Sequence, residues 1–381
     1  MPNAAATAVL DDVARAAALA HYRGTRSGRD KPGRYWKIDL EALELPDALQ
    51  PGAGTVTFSG VALGIVACDL ETAARERGAL LDRAYGVTAV RSTKFGALAT
   101  AYAGLGALVY VARGVAADEP IVITYSCADG QAIFPATVVL LEDGARATIV
   151  ERFRAGAGAL VCTTTELVTG NGSDITYVGV QTLPQDARIL ASRAALVQRD
   201  ARVAWAFADL GAELAAASAE STIVGPGARV EVTALFFPSG DQHVDLVTSI
   251  SHDVGNSTSD TIVKSAATQR GQARYLGNIR IAAHAQQSAA SLRDDALLLS
   301  KQSHIDSVPA LEIAANDVRA FHGATVGAID REQIFYMESR GIEPREAERM
   351  IALGFFEPAI GRFPSEALRE ELRAALRAKA G

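Results

Sequence analysis

His322 is the histidine whose sequence surroundings best suit a binding site. It follows a predicted strand at 318–321 and begins a Gly-rich turn with Gly323 and Gly327, where the backbone can approach another group closely. Imidazole nitrogen is a ligand that suits iron or zinc. Because one histidine cannot hold a metal ion alone, a site here requires ligands from another chain. A purely structural role for His322 is the alternative.

Asp294 and Asp295 are the adjacent carboxylates in the late strands of the sequence. Polysaccharide lyases and hydrolases built on β-helices use clustered aspartates as acid, base or calcium ligands. Consecutive residues on a strand point to opposite faces, so these two cannot act as one dyad. We therefore expect a solvated strand end.

The motifs of several large enzyme classes are missing from the sequence. It contains no phosphate-binding Gly-x-x-x-x-Gly-Lys loop, no His-Glu-x-x-His, no Gly-x-Ser-x-Gly, and no dinucleotide fingerprint between a strand and a helix. Cys68, Cys127 and Cys162 lie far apart, so neither a disulfide framework nor a closed zinc site is indicated. We expect a protein that is not a conventional enzyme.

Charge and hydropathy bear on partners and location. The 37 Lys and Arg residues and 44 Asp and Glu residues give a formal charge of -7, with basic residues scattered singly, so nucleic acid is not expected as a partner. Asp11 and Asp12 interrupt the N-terminal region where a signal peptide would be apolar, and we expect a cytoplasmic protein. The uncharged stretch 95–112 favours a short helix (94–103) and a strand (107–111) over a membrane span.

The elements that must position these residues change in character along the chain. Apolar residues at helical spacing (Val9, Leu10, Val13) predict an amphipathic N-terminal helix, and 70–81 is again helical in pattern. About fourteen short runs of strand composition follow between 121 and 314, separated by turn signals. One open sheet rarely holds so many strands, whereas a stacked coil has no such limit. The sequence therefore predicts a mainly β protein with a right-handed parallel β-helix, flanked by N-terminal helical or mixed and C-terminal helical domains.

Three helices are predicted after the last strand. Asp330 can cap the first, with Gln333 reaching back, and Gly341 ends it; Pro344 begins a second that stops at Gly354. Ser365 can cap a third with Leu368, Leu372 and Leu376 on one face. Phe355 and Phe356 belong either to the core of this region or to a docking surface. The predicted domains are 1–105, 106–322 and 323–381.

Several segments resemble the SufB/SufD family, the scaffold proteins of the Suf iron-sulfur cluster assembly system. The resemblance is dense in ASLRDDALLLS and in SHIDSVPALEIAANDVRAFHGATVGAIDREQIFYMESRGI, and weaker in KFGALATAYAGLGALVYVARGVAADEPIVI. His-Gly-Ala-Thr-Val-Gly in place of His-Glu-Ala-Thr is similar to the SufD branch. The family fold is a right-handed parallel β-helix between helical domains.

The resemblance also implies roles for individual residues. His322 falls where SufD members place a histidine implicated, with a partner-chain cysteine, in the nascent iron-sulfur cluster. Asp294 stands where SufB has a cysteine, Gly323 where it has a glutamate, and Ala320 where many SufD members have a cysteine. The region 331–357 resembles the segment that docks the SufC ATPase, with contacts expected from Phe335, Arg340, Met350, Phe355 and Phe356.

The expected function is that of a scaffold subunit that pairs with a SufB-like chain, carries SufC and shares a transient cluster. Two alternatives stay open: a carbohydrate-active β-helix enzyme, and a SufB-like homodimeric scaffold. The sequence leaves the stoichiometry, the cluster type and flavin binding open.

Overall fold

The computed structural model describes residues 12–25 and 52–380, and its dominant feature is a coil of strands that form two facing sheets. Val9, Leu10 and the 26–51 segment lie outside the described residues. Sheet 1 has nine strands, in spatial order β1 (Thr55–Ser59), β4 (Ile121–Cys127), β7 (Arg146–Ala155), β9 (Asp174–Gln181), β11 (Arg202–Asp209), β13 (Arg229–Phe236), β15 (Thr258–Ala267), β17 (Ser288–Leu298) and β19 (Val318–Ala328).

Sheet 2 contains the alternate strands of the coil. Its order is β18 (His304–Ile313), β16 (Gln272–Ile281), β14 (His243–His252), β12 (Leu214–Ile223), β10 (Arg188–Val197), β8 (Leu160–Val168), β6 (Pro135–Leu141), β3 (Leu105–Val111) and β2 (Ile65–Asp69), with the short β5 (Ala132–Ile133) beside β8. Each turn of the coil contributes one strand to each sheet, and the strands from β3 onward pair in parallel. The predicted parallel β-helix is confirmed.

The first strand of each sheet runs against the rest. β1 pairs with β4 and β2 pairs with β3 in antiparallel register, and each is only five residues long. At the other end, β18 and β19 each have one partner strand, β16 and β17, in the described part of the chain. We call the coil formed by β18 and β19 the open end.

The interior between the sheets is a continuous apolar core. Val230, Val232, Ala234 and Phe236 of β13 all point into it, as their alternation predicts. The core also holds aromatic rings in contact. The Trp205 ring lies 5.3 Å from the Tyr177 ring and 5.6 Å from the Phe207 ring, measured between centroids.

The N-terminal helices cover the outer face of sheet 2. They are α1 (Asp12–Gly24), α2 (Leu70–Glu76), α3 (Gly78–Leu81) and α4 (Lys94–Ala101), with a 3-10 turn at Ala89–Ser92. Phe95 and Leu98 of α4 pack on Cys162 and Leu190 of the sheet. The helix and strand predicted across 94–111 are confirmed. None of the described helices has the length and apolar character needed to cross a bilayer.

One buried carboxylate fastens the loop before α4 to sheet 2. Glu166 of β8 is 2% exposed and accepts hydrogen bonds from the Gly86 and Thr88 amides at 2.9 to 3.2 Å. The Arg91 guanidinium donates two more, from Nε at 3.0 Å and Nη2 at 2.8 Å. Because charge-assisted hydrogen bonds are strong and this carboxylate is almost fully buried, the contact fixes the loop on the sheet.

The C-terminal helices are α5 (Arg331–Glu338), α6 (Pro344–Ile360) and α7 (Glu366–Ala380). Asp330 caps α5 by accepting from the Glu332 amide at 2.9 Å, and Gly341 has a φ of +85°, both as predicted. The Ser365 hydroxyl accepts from the Leu368 amide at 3.3 Å, which confirms the third cap. The predicted stop at Gly354 is wrong, because α6 continues to Ile360 and buries Phe356, Ala359 and Ile360.

Helices α6 and α7 pack on the outer face of sheet 1. Phe356 and Leu372 belong to one apolar cluster with Val178 and Leu235 of the strands. Two ion pairs cross the same boundary: Arg152 with Glu371 at 2.6 Å and Arg362 with Asp260 at 2.7 Å. The helical tail is therefore joined to the sheet by both apolar and charged contacts.

Candidate functional site at the open end of the coil

The last coil leaves apolar side chains and strand edges uncovered. On β19 most residues are exposed, including Phe321 at 52% and Val326 at 44%, and Ile313 of β18 is 41% exposed. The outer edges of β18 and β19 carry no partner strand among the described residues. An edge strand presents unpaired N–H and C=O groups and is a template for pairing with another chain.

His322 lies in the middle of this edge. The predicted turn after Phe321 is wrong: β19 continues to Ala328, and His322 pairs in register with Leu292 of β17. Aligned residues of neighbouring parallel strands share a face, and Leu292 is buried in the core, so the imidazole lies on the inner face of the coil. Since no further coil covers it within the described chain, His322 is exposed.

Asp294 lies on the same inner face, one strand further in. It is fully buried between Val263 of β15 and Ala324 of β19, its register partners. The Ser307 hydroxyl of β18 donates to Oδ2, while Oδ1 has no hydrogen-bond partner among the described residues. Burial raises the pKa of Asp294 to about 7, although the Ser307 hydrogen bond acts in the opposite direction.

The solvated strand end predicted for the aspartate pair is therefore wrong for Asp294. Asp295 does face outward, where its Oδ2 pairs with the Lys264 ammonium at 2.7 Å. The two carboxylates lie on opposite faces of β17, as predicted. Asp294 and Asp295 therefore do not form the acid–base pair of a glycosidase. The aspartate pair gives the carbohydrate-active enzyme alternative no support.

The other positions singled out by the resemblance carry no ligand group. Ala320 packs on the apolar core from the inner face of β19. Gly323 faces outward beneath the Phe321 ring, and a Cβ at Gly323 would lie 3.2 Å from that ring. The Phe321 ring also faces the Arg293 guanidinium, 5.8 Å from the ring centroid.

The predicted docking residues of the C-terminal helices differ in accessibility. Phe335 is 71% exposed and Met350 46% exposed, and Arg340 is exposed with Nη2 donating to the Tyr336 hydroxyl at 3.2 Å. Phe355 is half-buried against the Lys264 ammonium, 4.5 Å from its ring centroid.

Phe356 is fully buried, with its ring centroid 5.9 Å from that of Phe237. It belongs to the core alternative, because its side chain has no exposed surface for the expected partner contact.

The described residues do not bring three His, Cys, Asp or Glu side chains together in a metal-binding group. His322 thus presents an exposed imidazole on the inner face of the open end, and a metal site there needs ligands from elsewhere.

Comparison with known families decides the relationship. Residues 123–355 match the family model described as the SufBD core domain of SUF system FeS cluster assembly. The chain belongs to the SufBD family. The matched region includes every strand from β5 to β19 together with α5 and the first twelve residues of α6.

Curated SufBD family members give the same result. The chain is 26% identical over 308 residues to iron-sulfur cluster assembly SufBD family proteins of Staphylococcus saprophyticus and Staphylococcus epidermidis. It is 26% identical over 312 residues to the Staphylococcus haemolyticus protein of the same name. Each match covers 80% of this chain, which spans 66% of the length of these relatives.

The exposed apolar residues of the open end were not predicted. Ile313, Phe321 and Val326 stand in ordinary alternating strand patterns, which predict burial of one face. Ile313 and Val326 are exposed because no further coil covers their inner face, whereas Phe321 is on the outer face of β19.

Proposed function

We propose that this SufBD family member is a scaffold subunit without catalytic activity of its own, which pairs with a SufB-like chain through β18 and β19. The observation that supports pairing most directly is the open end: two unpaired strand edges and the exposed Ile313 and Val326 side chains. Adding strands from a second chain would satisfy the edge N–H and C=O groups and cover this apolar surface.

In this proposal His322 supplies one ligand to a nascent iron-sulfur cluster, which is the cargo of the scaffold. Imidazole nitrogen suits iron, and the exposed inner-face position directs it toward the incoming chain. Asp294 is buried and Ala320 has no donor atom, so the remaining ligands come from the partner. This arrangement favours a SufD-like role over a SufB-like one.

The exposed surface of α5 and α6 is the proposed docking site of the SufC ATPase. Phe335, Arg340 and Met350 are accessible there, and Phe355 is half-buried beside them. Aromatic, Met and Arg side chains are enriched at protein interfaces. The firm attachment of α6 and α7 to sheet 1 would connect a docked ATPase to the scaffold.

Pairing is tested by placing a charge on the exposed apolar side chain of β19. Val326→Glu should weaken association with a co-expressed SufB-like chain by at least about tenfold, since burying an unpaired carboxylate is unfavourable. Leu63→Glu is the matched control, because Leu63 is 99% exposed in the turn between β1 and β2 at the other end.

Native mass spectrometry of the co-purified subunits measures the result. If Val326→Glu and wild type associate equally well with the SufB-like chain, β19 is not part of the interface. A stable complex of two copies of this chain that excludes the SufB-like subunit would instead favour the homodimeric scaffold.

A further inference from the structure

A cavity of about 260 Å³ lies where the beginning of α6 and the end of α7 meet the loops of sheet 1. Phe237 and Leu299 form part of its apolar wall. Arg345, Glu348, Arg349 and Lys379 supply its charged lining. Since a water molecule occupies about 30 Å³ in the liquid, the space is sufficient for a small polyatomic ion with several waters.

Lys379 is a half-buried cation whose partners are neutral. Its Nζ donates to the Leu210 carbonyl oxygen at 2.7 Å and to Oε1 of Gln242 at 2.6 Å. No carboxylate forms an ion pair with it in the part of the chain that the structure describes. Burial without a counter-ion lowers the pKa of Lys379 to about 8.

The rest of the charged lining adds positive charge. Arg345 is exposed and forms no ion pair within residues 12–25 and 52–380. Arg349 is neutralised by Glu346 at 2.7 Å, and Glu348 is the acidic residue that lines the cavity. With Lys379 protonated, the three cations exceed the two carboxylates, and the cavity favours an anion.

We propose that this cavity binds a small oxyanion of the phosphate or sulfate class, held by Lys379 and Arg345. Such an ion would supply the counter-charge that Lys379 lacks, and an ammonium has a third N–H beyond the two used for Leu210 and Gln242. It would also connect the end of α7 to the start of α6. The site is separate from the open end and does not depend on the function proposed there.

Sulfate is the probe, because it stays fully ionised near neutral pH. Calorimetric titration of the purified chain at low ionic strength should give saturable binding for wild type. Lys379→Met and Arg345→Gln should each weaken it at least about tenfold, which is about 1.4 kcal/mol. Arg345→Gln leaves the Leu210 and Gln242 contacts intact, so it keeps the test valid if Lys379→Met disturbs the fold.

Arg331→Gln is the matched control, because Arg331 is an exposed arginine at the start of α5 that does not line the cavity. Sulfate affinity should also decrease as pH rises above about 8, where Lys379 loses its proton. If the effect of sulfate is not saturable, or if wild type and both cavity variants bind it equally, sulfate acts only as a general stabilising salt. The proposed site is then wrong. Affinity that stays constant above this pH would exclude Lys379 from it.

Discussion

His322 and Leu292 are register partners on the last two strands of sheet 1, yet His322 is exposed and Leu292 is buried, with 1% of its surface exposed. They occupy equivalent positions of successive coils on the same inner face. The difference arises because the coil stops at β19. The position that is interior in earlier coils is therefore accessible at the surface.

Replacing His322 by Ala should leave the fold intact and impair cluster assembly. An exposed side chain away from caps and buried networks contributes within about 0.5 kcal/mol to stability. Loss of the imidazole removes one iron ligand from the proposed interface. Anaerobic reconstitution of the co-purified complex, followed by visible absorption and iron content, measures the effect.

His304→Ala is the control for that experiment. His304 is an exposed histidine at the start of β18, where it pairs with Asp306 at 3.0 Å, and its neighbour Ile305 is the residue that faces the core. If the complex with His322→Ala holds as much cluster as the complex with His304→Ala, His322 is not part of the assembly site.

Asp294→Asn should make the chain more stable at alkaline pH. Burial raises the Asp294 pKa from 3.8 to about 7, so the stability of the protonated form is fully present below pH 3.8 and is lost as pH rises through about 7. An amide cannot ionise and should retain about 1–3 kcal/mol at pH 8 that wild type loses. Urea unfolding as a function of pH measures the difference.

Asp295→Asn is the corresponding outer-face variant. It breaks an ion pair with a half-buried Lys264 and should cost up to about 1 kcal/mol. It should also keep the alkaline loss of stability seen in wild type. If the Asp294 variant loses stability with pH as steeply as wild type does, Asp294 is not the titrating group.

Glu166→Gln should release the loop before α4 from sheet 2. The amide nitrogen cannot accept the hydrogen bonds that one carboxylate oxygen receives, either from Gly86 and Thr88 or from Gly86 and Arg91, and breaking a buried charge pair costs about 3 kcal/mol or more. Hydrogen exchange of the Gly86 and Thr88 amides and the unfolding midpoint measure it. Glu213→Gln, which breaks the exposed pair with Arg188, should cost less than about 1 kcal/mol; equal costs would contradict the assignment.

Phe356 and Phe335 should respond oppositely to truncation. Phe356→Ala creates a cavity between α6 and sheet 1 and should cost about 3–5 kcal/mol. Phe335→Ala should leave the unfolding free energy within about 0.5 kcal/mol but weaken SufC binding, measured by pull-down. Undiminished SufC binding would exclude the exposed face of α5 from the docking site.

The β-helix could be predicted because its signals are local. Alternating apolar residues and turn residues recur along the chain, as in β13, where Val230, Val232 and Phe236 face the core. The absence of a strict repeat also has a structural reason. Arg202 pairs with Arg229, 27 positions on, whereas Thr258 pairs with Ala289, 31 positions on. Loops of different length between aligned strands prevent any fixed period.

The errors lie where long-range contacts outweigh local preferences. Gly323 and Gly327 predicted a turn, but pairing with β17 holds both in an extended strand. Gly354 predicted the end of α6, but burial of Phe356 and Ile360 on sheet 1 continues the helix through it.

The candidate site was predictable only in part. The resemblance placed His322 at an interface, and the structure places its strand at the open edge. The burial of Asp294 depends on which coil covers it, and that register is not encoded in the residues next to it.

The short reversed strands β1 and β2 bear on how many subunits the proposed pairing could join. Stacking of one copy's last coil on the first strands of another would repeat indefinitely and generate filaments. At that far end the incoming parallel strands would meet antiparallel strands of only five residues, which are a poor template for continuation. Under the proposed pairing, further stacking at this end is disfavoured, and two chains that meet at their last coils would form a finite particle.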